Sequence, residues 1–146
     1  MEVLNWIEDE GIFEIPEIAS RNSFAEKYRY LTVDQILNDF TYINQKEWNE
    51  FVKFIIYKFN LEFKGVGVEL GAGCAGFSNA VITNQNEVSK IYAVEIVPKV
   101  VSLLQSKVTN SFKNEDKLIH VIGSFDSINL PDKSVDFIIE YDSLHH

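Results

Sequence analysis

The stretch Val68-Glu69-Leu70-Gly71-Ala72-Gly73-Cys74-Ala75-Gly76-Phe77 carries the first decisive pattern of this chain. Val66, Val68 and Leu70 form a short apolar strand that runs into a glycine-rich turn, and Phe77 to Thr83 then suits a helix. Glycines allow a sharp strand-to-helix turn and let a ligand approach the main chain closely. Gly71, Gly73 and Gly76 also satisfy G-x-G-x-x-G, the dinucleotide fingerprint, so a flavin or nicotinamide enzyme enters as one reading. A glycine turn with no ligand is the other reading of the pattern taken alone.

C-terminal to the turn, Lys90 to Glu95, Leu118 to Ile122 and Val135 to Glu140 read as three more strands, and Pro98 to Lys107 reads as a helix with Pro98 in its first turn. Strands alternating with helices at this spacing predict an α/β fold with a Rossmann-like parallel sheet. The apolar runs suit strands buried on both faces.

N-terminal to the turn, residues 1–62 read as a helical cap segment and 63–146 as the sheet-forming half-domain. Val3, Leu4 and Ile7 give one short apolar face with Gly11 as a stop, and Pro16 marks a break. Thr32 followed by Gln35 has capping-box spacing and opens a helix through Ile36, Leu37 and Phe40. Asn44 followed by Glu47 gives a second start signal. Trp48, Phe51, Val52, Ile55 and Phe59 then recur at helical period, with Glu50, Lys53 and Lys58 on the wetter side. That helix reads as a cap packed on the core, or as a lid over a substrate pocket.

The chain has 146 residues, 46% of them hydrophobic, enough for one ordinary domain with a real core. A net charge of −9 disfavours a phosphate-backbone partner, so no nucleic acid is expected. Cys74, the lone cysteine, offers neither an internal disulfide nor a cysteine-based zinc site, and a reducing cytoplasm is the natural reading. The N-terminus lacks the basic start and apolar run of a signal peptide. No apolar stretch approaches the ~20 residues that span a bilayer, so no membrane role is expected. No His and carboxylate cluster has metal-ligand spacing, so no metal is expected.

Two acidic residues bear on the choice of ligand. Glu69 ends the first of these strands, two residues before Gly71. A pyrophosphate against this turn would be repelled by a carboxylate, whereas a sulfonium or ammonium would be attracted. Glu95 ends the second strand, where an acidic side chain accepts hydrogen bonds from ribose hydroxyls in either cofactor class.

Four stretches together are similar to the class I S-adenosylmethionine-dependent methyltransferases. Val68 to Phe77 resembles their first motif, and Ala93-Val94-Glu95-Ile96 the acidic motif that follows. Gly123-Ser124-Phe125-Asp126-Ser127-Ile128-Asn129-Leu130-Pro131 leading to Ser134-Val135-Asp136-Phe137 resembles the small-molecule branch, and Ser143-Leu144-His145-His146 resembles a Leu-His-His that follows the fourth strand there. The resemblance covers roughly Gly65 to His146. It implies S-adenosyl-L-methionine as cofactor and a small-molecule methyl acceptor. Glu69, Gly71, Ala72, Gly73 and Cys74 would form the turn at the methionine end. Glu95 would hold the ribose, Ile96 would pack on the adenine, and Glu140 would lie at the same sheet edge. Ser124 stands where the family usually has aspartate, so the adenine amino group falls to Ser124, with Phe125 beside it, or to nearby Asp126. Ala75 replaces a common glycine.

Methyl transfer from a sulfonium needs alignment and water exclusion more than a base, and only a substrate that must lose a proton gains from one. His145 and His146 are the candidate bases, just beyond the fourth strand, with Tyr141 as a further contact. Their other reading is to shape the next helix start. Glu140-Tyr141-Asp142-Ser143 is not the Asn-Pro-Pro-aromatic motif of amino-methylating DNA enzymes. His120, inside an apolar strand, reads as a satisfied core residue. The family fold continues past a fourth strand, so the chain is read as part of a longer enzyme. A partner chain or second copy completing the open sheet edge, and a non-catalytic cofactor-binding module, are the alternatives.

Overall fold

The computed structural model describes residues 2–38 and 44–143. Its centre is a five-stranded sheet in the order β1-β4-β3-β2-β5, all neighbours parallel. The strands are β1 (Val3–Asn5), β2 (Gly65–Leu70), β3 (Val88–Glu95), β4 (Leu118–Ile122) and β5 (Phe137–Glu140). Because β2 lies between β3 and β5, its carboxyl end faces a crevice where the strand order reverses, the place where ligands bind in open α/β sheets.

The alternation along β3 shows how the two faces are covered. Ile91 and Ala93 join the larger core with α3 (Gln45–Phe59), α4 (Gly76–Asn84) and the helix after β3. Tyr92 and Val94 point to the opposite face, where Trp6, Val68, Val121, Ile128, Leu130 and Val135 form a thinner layer without a helix. At β5 the described residues leave this second face open, and Ile138 is 64% exposed.

The expected helix around Leu4 and Ile7 is a strand. Val3–Asn5 pairs with His120–Ile122 in parallel register, and Trp6 N–H extends the ladder to Ile122 O at 2.9 Å. The apolar Val3 and Leu4 are too few to define a period, and tertiary pairing decides. Gly11 lies inside a 3-10 turn, Glu10–Glu14, instead of ending a helix. Pro16 is the first residue of α1 (Pro16–Phe24), a position where its missing N–H costs nothing.

The capping signals are present as bonds. Thr32 accepts from Gln35 N–H and Gln35 accepts from Thr32 N–H, which opens α2 (Val33–Leu37); Phe40 lies outside the described residues. Asn44 Oδ1 accepts from Glu47 N–H at 3.0 Å and opens α3. That helix stops at Asn60, which adopts the left-handed conformation at φ 51°. Trp48 and Val52 are its buried residues, and it packs along α4. After β3, the helix that begins near Pro98 contains a π-helical stretch, Val100–Gln105, before α5 (Ser106–Thr109).

Candidate functional site

β2 carries Glu69 to the carboxyl end of the sheet, where the side chain is only 4% exposed. Its Oε2 accepts from Ser78 N–H at 3.1 Å and from the Ser78 hydroxyl. The carboxyl group therefore lies under the first turn of α4, whose unpaired N–H groups favour negative charge. Burial outweighs that help: it pushes the Glu69 carboxyl up to about 7, against the bonds from Ser78. Glu95, half-buried at the end of β3, accepts from Gly73 N–H at 3.2 Å and from Val97 N–H at 3.0 Å. Burial raises its pKa too, opposed by those backbone donors. Each Glu95 oxygen keeps a lone pair for one more donor.

Between these acids the turn reverses at alternate residues. Gly71, Gly73 and Ala75 have φ of 68°, 52° and 60°. The third left-handed position belongs to Ala75, and Gly76 opens α4 in ordinary helical geometry. For a residue with a Cβ this conformation costs ~1–2 kcal/mol, and Ala75 bears it in a fully buried position. Gly76 is small for another reason: the Trp48 indole lies where its Cβ would be. Cys74 is buried, and burial pushes its thiol up to about 11, so its contribution is to the turn and not as a nucleophile.

A cavity of about 370 Å3 opens on this turn. Glu69, Gly71, Ala72, Gly73, Cys74 and Glu95 line its floor, with Tyr141 and Asp142 beyond β5. A second cavity, about 300 Å3, is lined by Ile96, Ser124, Phe125 and Asp126. Arg21 borders both. The residues assigned from sequence to the methionine end and the ribose line the first cavity, and those assigned to the adenine line the second. Ser124 Oγ accepts from Asp126 N–H at 3.3 Å, so both adenine candidates share one small turn.

One assignment, Glu140, lands elsewhere. Glu140 accepts from Ser143 N–H at 2.5 Å and Ser143 Oγ at 3.0 Å; it braces the turn after β5 and lines neither cavity. His145 and His146 lie outside the described residues. His120 is a core residue, 1% exposed, with Gln105 and Thr109 on its two ring nitrogens. Burial lowers its pKa to about 4.

Sequence reading offered the Trp48 helix as a lid over a pocket, but missed the contribution of residues 12–28. Arg21 and Phe24 of α1, Ala25 and Tyr28 of the following 3-10 turn, and Trp48 of α3 all line the first cavity. Ile12, Ile15 and Ile18 close the second. Their apolar spacing predicts burial but not what they bury against. The Trp48 ring stacks on Phe77 at 4.9 Å and 11°, and meets Tyr141 edge-on at 5.1 Å. Tyr141 remains 47% exposed at the mouth.

Two acidic carboxyl groups, a left-handed glycine turn and an apolar second cavity suit an adenosyl ligand with a cationic tail. The turn is ill suited to a pyrophosphate, which would lie against Glu69. This is the cofactor end of a Rossmann-like nucleotide-binding fold. A family model described as a methyltransferase domain matches residues 68–146, and the chain belongs to that family. Its cofactor is S-adenosyl-L-methionine, and the residues present fit it. No curated protein matches the chain. Among solved structures, a candidate S-adenosyl-L-methionine-dependent methyltransferase from Methanococcus maripaludis aligns over 88% of this chain and 50% of its own, with TM-score 0.57 and 16% identity. The precorrin-6y C5,15-methyltransferase of Geobacter metallireducens aligns over 68% of this chain and 49% of its own, with TM-score 0.50 and 18% identity. These likenesses establish the fold. The chain spans about half the length of either structure. Among the described residues, no helix is long and apolar enough to cross a membrane, and no group of three His, Cys, Asp or Glu could hold a metal ion.

Proposed function

We propose that this chain is the donor-binding part of an S-adenosylmethionine-dependent methyltransferase that acts on a small-molecule acceptor. The observation that carries the reading is the pair Glu69 and Glu95, one on each side of the left-handed turn and both lining one cavity. When bound, the donor supplies an electrophilic methyl group on a sulfonium. Glu69 then faces the charged methionine end, where attraction to a cation favours its ionised form. Glu95 accepts from the ribose hydroxyls on its remaining lone pairs. Ile96 and Phe125 flank the adenine, and Ser124 or Asp126 accepts from its amino group.

At the mouth, Trp48 and Tyr141 exclude water from the reacting methyl and bound the acceptor's approach. Aligning the two reactants supplies most of what this displacement needs. For an acceptor that must lose a proton, Tyr141, His145 and His146 are the candidate bases. The small-molecule acceptor is supported by the net charge of −9, which disfavours polyanions. A lone buried thiol suits a reducing cytoplasm. The outer edge of β5, unpaired among the described residues, and exposed Ile138 suit cover by further chain, a second copy or a partner.

Titration calorimetry with S-adenosylhomocysteine tests the donor site. Binding that Glu95→Ala abolishes is expected; a folded sample that binds neither S-adenosylhomocysteine nor S-adenosylmethionine would refute it. Incubation with methyl-labelled donor and separated small-molecule, RNA and protein fractions of a cell extract tests the acceptor, with label expected in the small-molecule fraction and label in RNA or protein overturning that part.

A further inference from the structure

The helix after β3 buries a polar side chain that the donor-site reading does not use. Gln105 is fully buried among Val100, Val101 and Leu104, at the end of the π-helical stretch Val100–Gln105. A π-turn rotates the following residue relative to an α-helix, and such turns occur often at functional sites. Here the result is that Gln105 reaches the glycine turn: its Nε2 donates to Gly73 O at 2.8 Å. Gly73 N–H donates in turn to Glu95 at 3.2 Å. The two peptide groups flanking Gly73, a left-handed residue with no Cβ, are thus each held by a side chain.

The orientation of the Gln105 amide follows from its neighbours. Since Nε2 donates to Gly73, Oε1 faces His120 Nδ1 at 2.5 Å, so Nδ1 carries the proton. Thr109 Oγ1 stands 3.0 Å from His120 Nε2 and 2.7 Å from Gln105 O, so its single hydroxyl proton faces two acceptors on the other side of the ring. His120 comes from β4 and Gln105 from the helix, so the brace joins three elements of the fold beneath the turn.

We propose that Gln105 is a positioning residue for the donor site, holding Gly73 so that Glu95 and the turn present their ribose- and methionine-facing geometry, with His120 fixing the Gln105 amide the right way round. The proposal rests on the donor-site reading. Without the brace, Gly73 has the freedom of any glycine, and the ligand must supply the ordering when it binds.

The test is S-adenosylhomocysteine affinity by calorimetry on wild type, Gln105→Leu, His120→Leu and His120→Asn, each at a temperature well below its own unfolding midpoint. Loss of one such hydrogen bond predicts roughly tenfold weaker binding for Gln105→Leu. His120→Leu, which frees the amide to flip, weakens binding too. In His120→Asn an amide N–H replaces Nδ1–H, and affinity returns to within about twofold of wild type. A merely structural Gln105 would lower the unfolding midpoint and leave the affinity of the folded protein unchanged; that result overturns the proposal. If Gln105→Leu does not fold, the His120→Leu and His120→Asn pair decides: equal affinities for the two overturn the proposal, and recovery by asparagine alone supports it. A wild type that binds nothing refutes the donor-site reading itself.

Discussion

The indole of Trp48 occupies the space above Gly76: a Cβ on that glycine would stand 2.6 Å from Trp48 Cδ1 and 2.8 Å from Nε1. The ring has little room to retreat, since Phe77 stacks on it and Phe51 and Tyr141 meet it edge-on. Gly76→Ala is therefore expected to cost ~1–3 kcal/mol through overpacking. In a Trp48→Leu background the same change should cost much less. A double-mutant cycle by urea unfolding measures the coupling, and equal costs in both backgrounds would show that the clash is relieved some other way.

Donor binding should release protons below neutral pH. The Glu69 carboxyl titrates near 7, so it is mostly protonated at pH 6, and a cationic ligand beside it favours ionisation. Calorimetry with S-adenosylmethionine at pH 6, in buffers of different ionisation enthalpy, is expected to show net release in wild type. Glu69→Gln should abolish it. Buffer-independent heats in the wild type would place the ligand's charge away from Glu69.

Glu69 and His120 drive stability in opposite directions with pH. His120 titrates near 4 in the fold, below its ordinary 6.5, so the unfolded chain binds the extra proton between these values and stability falls as pH falls through that window. Glu69 is raised from 4.5 to about 7, so the folded chain holds the extra proton and stability falls as pH rises from 4.5 to about 7. Relative to wild type, His120→Asn should therefore become progressively worse as pH rises from 4 to 6.5, by up to about 1.4 kcal/mol per pH unit. Glu69→Gln should improve relative to wild type as pH rises from 4.5 to 7. Urea unfolding across pH 4–7 follows both, and two variants that ran parallel would refute the assignment.

Lys107 ties the N-terminal segment to the sheet domain. Its ammonium donates to the carbonyls of Tyr28 at 2.5 Å and of Arg29 and Leu31 at 2.8 Å, which end the 3-10 turn Ala25–Arg29. Lys107→Met keeps the length and removes the donors. The expected loss is about 2–3 kcal/mol, given charged donors, with faster amide exchange confined to residues 25–31. Uniformly faster exchange would assign Lys107 to global stability instead.

The four strands after residue 62 were legible because each is a compact apolar run flanked by turn residues, and the caps of α2 and α3 because Thr32 and Asn44 act through bonds to residues three positions on. That Glu69 and Glu95 reach one cavity was legible from their places at the ends of two neighbouring strands, Glu69 just before the glycine turn. β1 was not, because Val3–Asn5 is too short to show a period and is made a strand by residues far along the chain. Ala75 was legible only through the resemblance, which puts a glycine there: the G-x-G-x-x-G letters count one at 76, while the backbone reverses at 75. Gln105 left a trace that sequence reading passed over, a polar residue on the apolar face formed by Val100, Val101 and Leu104. Only the π-turn shows where it points.

The pairing of Val3–Asn5 with His120–Ile122 also bears on how the protein is made. Val3–Asn5 leaves the ribosome long before its partner strand and cannot take its place until β4 has emerged. During synthesis the β1 segment waits as a loose thread while β2 and β3 associate behind it, and the edge it will cover stays open to other nascent chains. An N-terminal fusion that held Val3–Asn5 elsewhere would prolong that exposure, and its effect would be seen first in yield and aggregation instead of in the donor site.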